Sequence, residues 1–163
     1  MPANRTGNQT TNTSTNTSTP SGGTSNNVIN TGNDQLDLEL IEREIQGTMI
    51  SILANLSLLA SANKNRQLIL DRQNGIKSSN PLEATQLAAL SSLLTLCSAT
   101  ILSEIAEIRL VEREQNIESG TAKGTITPNI NITFGYKVVI SGLVFRAIGA
   151  LQRLQEEDQI TIL

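Results

Sequence analysis

The chain has 163 residues, a net charge of −3, no His and one cysteine, Cys97. Without His there is no His-dependent triad, proton shuttle or His-ligated metal site, and one cysteine excludes an internal disulfide and a Cys-based structural zinc site. A mildly acidic chain with three aromatics, Phe134, Tyr136 and Phe145, lacks the basic, stacking surface of a nucleic-acid binder.

Residues 1–34 differ in composition from the rest. They hold 9 Thr, 8 Asn and 4 Ser, and Thr11 to Ser18 reads TNTSTNTS. Such a segment cannot bury enough apolar surface to offset its ordering entropy, so it is expected to be a disordered polar tail. It has no apolar h-region and is not read as a secretory signal peptide. Residues 35–163 are then expected to form one helical domain.

From Asp34 the pattern is helical. Ile41, Ile45, Met49, Ile52, Leu56 and Leu59 recur at spacings of three and four. Asp34, Asp37, Glu39, Glu42 and Glu44 cluster at the start, and Lys64, Arg66 and Arg72 lie toward the end, as the helix dipole favours. Asn74-Gly75 supplies a stop, so a helix is predicted over 36–73.

The second start signal is Asn80 as cap, Pro81 at the first helical position and Glu83 three residues after the cap. The apolar stripe then runs Leu87, Leu90, Leu94, Cys97, Ile101, Ile105, Ile108 and Val111 or Glu112, and Ser119-Gly120 ends it. Two long helices with a short connection at 74–80 should lie antiparallel. Leu53, Leu58, Leu93, Leu96 and Leu102 fall off both stripes, and a lone three-helix bundle would expose some of them.

The last third carries two overlapping patterns. Ile126, Ile130, Ile132, Phe134, Tyr136, Val138 and Ile140 alternate as in a strand. Ile132, Tyr136, Ile140, Leu143, Ala147, Leu151 and Leu154 form a helical stripe. Gly135, Gly142 and Gly149 are spaced by seven and share one face of any helix there. The reading adopted is a shorter helix over about 138–157, with 125–134 left extended, as a short strand or as a helix start, and 160–163 as a short strand or a frayed end. The fold expected is thus mainly α: two long antiparallel helices plus a shorter third segment, as a three-helix bundle or coiled-coil-like arrangement.

No residue set points to catalysis. Cys97 lies on the apolar stripe, and the expectation is a buried small hydrophobe. Glu39, Glu42 and Glu44, like Glu112, Glu114 and Glu118, are close enough in sequence for acid–base or metal work. The ferritin-like di-iron pattern needs Glu-x-x-His, which this chain cannot supply, and no calcium loop spacing occurs. Glu39 with Arg43 and Arg109 with Glu112 are expected as ion pairs along solvated helix faces. No Gly-rich phosphate loop is present. The sequence thus predicts no catalytic, cofactor-binding or metal residue and no enzyme.

Two properties carry the functional expectation. Residues 45–63 and 84–103 contain no charge and are long enough to span a bilayer, yet nearly two in five of these positions are polar and no Trp or Tyr flanks them. The helices are also apolar beyond a narrow seam, and exposed apolar surface usually marks a partner. The first expectation is a structural or scaffold protein that self-associates through Ile45, Met49, Ile52, Leu56, Leu59, Leu87, Leu90, Leu94, Ile101, Ile105, Ile108, Leu143, Leu151 and Leu154. The alternatives are a membrane-associated hairpin and an adaptor for another helical protein. Partners are expected to be copies of itself or another helical protein, not nucleic acid. An Asn/Thr-rich brush on an assembling core suits the cytoplasm or a bacterial surface or spore-like envelope.

Overall fold

The computed structural model describes residues 31–76 and 82–161. They form three helices, α1 (Asp34–Gln73), α2 (Leu82–Glu118) and α3 (Thr127–Thr161), with no strand among the described residues. The expected disorder of residues 1–30, the cap Asn80-Pro81 and the end Ile162-Leu163 lie outside the described residues.

Local chemistry sets the helix ends. Asn33 caps α1, its side-chain Oδ1 accepting from the Gln35 and Leu36 amides at 3.2 and 3.3 Å. Asp34 and Asp37 sit in the first turn and Arg72 in the last. Past the C-cap Asn74, Gly75 takes a φ of 67°, which turns the chain out of the helix. Thr31, placed in the polar tail by composition, is buried instead. Its amide donates to Asp37 Oδ1 at 2.8 Å, and its carbonyl accepts from Asn116 Nδ2 near the end of α2. The folded unit therefore begins by Thr31, a few residues before the compositional break.

The third segment differs most from expectation. It is a 35-residue helix, against 40 for α1 and 37 for α2, and it starts at Thr127, the helix start rather than the strand or extended chain that the pattern there also allows. Ile160 and Thr161, also allowed as strand, belong to it. The reason is tertiary. Asn129, Thr133, Tyr136 and Ile140, spaced by four, three and four, are all buried or half-buried. Packing of that face overrides the strand preference of the β-branched residues around it. Pro128 lies in the first turn, where its missing N–H costs nothing.

The packing rows follow a period of seven. The buried residues of α1 are Leu40, Gly47, Ala54, Ser61 and Leu68, each seven from the next. Helix α2 carries two neighbouring rows with the same period. Ala84, Ser91, Ser98 and Ile105 form one; Thr85, Ser92, Ala99, Ala106 and Arg113 form the other. Hydrogen bonds assign them. Ser98 Oγ donates to the Gly47 carbonyl at 2.7 Å, and Ser61 Oγ donates to the Ala84 carbonyl at 2.6 Å, so the first row faces α1. Thr133 Oγ1 donates to the Ala106 carbonyl at 3.3 Å and Thr85 Oγ1 donates to Glu157, so the second faces α3. Both pairs are antiparallel, as predicted for α1 and α2.

Small side chains let the backbones approach. At Gly47 an added Cβ would lie 3.3 Å from side-chain atoms of Ile101 and Leu102. Helices α1 and α3 each pack along α2, and among the described residues they do not pack on each other. The helical bundle is therefore open: α1 and α3 lie on neighbouring sides of α2, about 100° apart around its axis, with a groove between them.

Candidate functional site

The feature that sets this molecule apart is what the open bundle leaves uncovered. On α1 the side away from α2 carries Leu38, Ile45, Ile52 and Leu59, seven residues apart, with Met49 and Leu56 beside them, all exposed. On α3 the far side carries Phe134, Val138, Phe145 and Ile148, and Phe145 is 76% exposed. Gly135, Gly142 and Gly149 run through that same side, and an added Cβ at any of them would meet nothing within 4 Å.

The residues expected to mediate association divide accordingly. Ile45, Met49, Ile52, Leu56, Leu59, Leu90 and Leu151 are exposed. Leu87, Leu94, Ile101, Ile108, Leu143 and Leu154 are half-buried against neighbouring helices, and Ile105 is buried. The conspicuous stripe of α1 is thus its outer face, not its contact with α2. Off the stripes, Leu53, Leu58 and Leu93 are exposed while Leu96 and Leu102 are half-buried. Cys97 is exposed, contrary to the buried position expected, because α2 turns its serine and alanine rows inward instead.

Electrostatics frame the outer faces. The charge-free runs 45–63 and 84–103 lie side by side, as the Gly47–Ser98 and Ser61–Ala84 bonds require. Ion pairs between helices close both ends. Lys64 meets Glu83 at 2.5 Å at one end; Arg43 meets Glu104 at 2.6 Å and Arg109 meets Glu44 at 2.8 Å at the other. The arginines thus pair across the seam and not with Glu39 and Glu112 along their own helices. The belt between is about 30 Å long at 1.5 Å per residue. Helix α3 breaks it. The Thr133–Ala106 and Thr85–Glu157 contacts set exposed Arg146 level with the middle of the 84–103 run.

A groove runs between α1 and α3 over α2. A cavity of about 270 Å³ there is lined by Glu44, Leu102, Ala106, Arg109, Asn129, Ile132 and Tyr136. Asn129 Oδ1 and Arg109 Nε are buried in it without a partner. Its one carboxylate is held by Arg109, and Tyr136 brings a phenol to the same wall. Among the described residues, no three Cys, Asp or Glu side chains come together as a metal site would need.

Sequence reasoning missed the inner rows. The signal was present: Gly47, Ala54 and Ser61 recur every seven residues, as do Ala84, Ser91 and Ser98. Small residues are easily overlooked because pattern reading searches for large apolar ones. Comparison with known protein families, characterised proteins and solved structures found no match.

Proposed function

We propose that this chain is a non-enzymatic structural subunit that self-associates through the outer faces of its helices and displays its Asn/Thr-rich N-terminal segment. One observation supports the reading above all. Many large aliphatic and aromatic side chains face solvent, while most of the buried positions between helices are Gly, Ala, Ser or Thr. A chain left alone in water would expose large apolar side chains on all three helices, as interaction surfaces do. Burial recovers roughly 25 cal/mol for each Å² covered, so copies that cover one another gain strongly.

A second reading, a hairpin of α1 and α2 within a bilayer, draws on the charge-free belt. All three helices are long and apolar enough to cross a membrane by length and composition. Exposed Arg146 level with the middle of the belt counts against it, since an arginine at a bilayer centre costs about 2.5–3.5 kcal/mol on insertion scales. Exposed Asn55 on α1 adds to that cost.

The test is the mass of the full chain, extracted without detergent and measured by size exclusion with light scattering. A multimer or filament is the expected result. A monomer at micromolar concentration overturns self-association, and recovery only in detergent overturns it in favour of the bilayer hairpin.

A further inference from the structure

We infer that the groove between α1 and α3 holds a binding site for a small neutral carboxamide, recognised by Asn129. The site stands apart from the self-association proposed above. Its lining shares no residue with the outer faces of α1 and α3 named there.

Asn129 carries the argument. It lies in the first turn of α3 and is only 6% exposed, yet among the described residues its side chain forms no hydrogen bond. Buried side-chain amides are nearly always paired, because their polar atoms lose water on burial. The neighbouring buried hydroxyl obeys that rule: Thr133, one turn further along α3, donates to the Ala106 carbonyl at 3.3 Å. Asn129 instead lines a cavity of about 270 Å³. A buried, unpaired amide at the wall of a cavity is what a site for a complementary polar group looks like before it is filled.

The wall selects the chemistry of the ligand. An Asn side chain sets one acceptor beside one donor group, and its complement is the same pair reversed, as in the two-bond contact of Asn with the edge of adenine. Another carboxamide supplies that pair. Arg109 Nε, also buried without a partner, adds a donor for the carbonyl oxygen of the ligand. Charge is already balanced, since Arg109 Nη2 donates to Glu44 Oε2 at 2.8 Å. An anion would meet Glu44 and a cation would meet Arg109, so a neutral head group fits. Leu102, Ala106, Ile132 and the ring of Tyr136 offer apolar contact to the rest of the molecule. The volume equals roughly nine waters at about 30 Å³ each, room for a ligand of about ten non-hydrogen atoms.

The probe that tests this is benzamide. Acetophenone is its analogue, keeping the ring and the carbonyl but lacking the N–H donors. Both are titrated against the full chain by ligand-detected saturation-transfer NMR, which reads binding to monomer and multimer alike. Benzamide should bind with a millimolar or tighter Kd, and acetophenone at least about tenfold more weakly because it leaves the Asn129 acceptor unmet. Asn129→Leu, with helix content checked by circular dichroism, should bring the two probes to equal affinity. Ile132→Trp changes a position that is 53% exposed at the cavity rim, and should block benzamide while leaving the fold intact. No binding of benzamide at millimolar concentration overturns the site and leaves a cavity holding water only. Equal affinity of the wild type for both probes, or a preference for benzamide that survives in Asn129→Leu, overturns carboxamide recognition. Benzamide binding undiminished in Ile132→Trp overturns the placement in this groove, whatever becomes of Asn129→Leu.

Discussion

Ala54 and Leu56 stand two residues apart on α1 and live in different worlds. Ala54 is 1% exposed against α2, and Leu56 is 55% exposed on the outer side. The contrast recurs through the middle of the α1–α2 seam, with Gly47, Ala54 and Ser61 inside and Ile45, Ile52 and Leu59 outside, while Leu40, Leu68 and Ile105 are buried toward its ends. In a protein stabilised chiefly by its own hydrophobic core, the large side chains would occupy the seams. Here the seams gain from close backbone approach and from hydroxyls that donate to carbonyls of the next helix. The large side chains of the α1 stripe are left in contact with solvent.

The contrast can be broken most violently at those two residues. Ala54→Asp puts an unpaired carboxylate into the seam and should unfold the α1–α2 pair, at about 3–5 kcal/mol for an uncompensated buried charge. Leu56→Asp should leave helix content intact and abolish multimer mass. Circular dichroism melts with light scattering on both variants check the pair, and equal loss of helix in both would contradict the assignment of faces.

Glycines sharpen it next. Gly47→Leu overpacks a position where a Cβ already lies 3.3 Å from two side chains, and should cost about 1–3 kcal/mol in urea unfolding. Gly142→Leu meets no neighbour and should add up to about 1 kcal/mol to the monomer through helix propensity. A smaller effect is expected for Ser98→Ala, which removes the bond to the Gly47 carbonyl and should lower stability by about 0.5–1.5 kcal/mol. Smallest is Arg43→Gln at the rim of the belt. Its partner Glu104 is half in solvent, so the loss should be about 0.2–1 kcal/mol and shrink further in high salt.

The helices themselves were legible in the sequence. The stripe of α1, the Asn74-Gly75 stop and the Ser119-Gly120 stop place α1 and the end of α2 within a few residues. What the stripe could not reveal was its direction. Periodicity marks one face of a helix as apolar but is silent on whether that face meets another helix of the same chain. Ile45 and Ile52 are therefore expected at an interface from the pattern alone, which does not say that they face outward, and it passes over Gly47 and Ala54. For residues 126–134 the alternating β-branched pattern competed with the helical one. It lost because Asn129 and Thr133 pack against α2, a contact no local window contains. Cys97 was misplaced because it lies on the Leu90–Leu94–Ile101 stripe, yet that side of α2 is shared between seam and solvent.

Because among the described residues α1 and α3 each pack only on α2, the three helices behave as a one-dimensional series with two nearest-neighbour couplings. Either outer helix can open while the other pair stays closed, whereas α2 cannot open without breaking both couplings. Amide hydrogen exchange in the isolated chain should therefore be slowest in the middle of α2 and faster in α1 and α3.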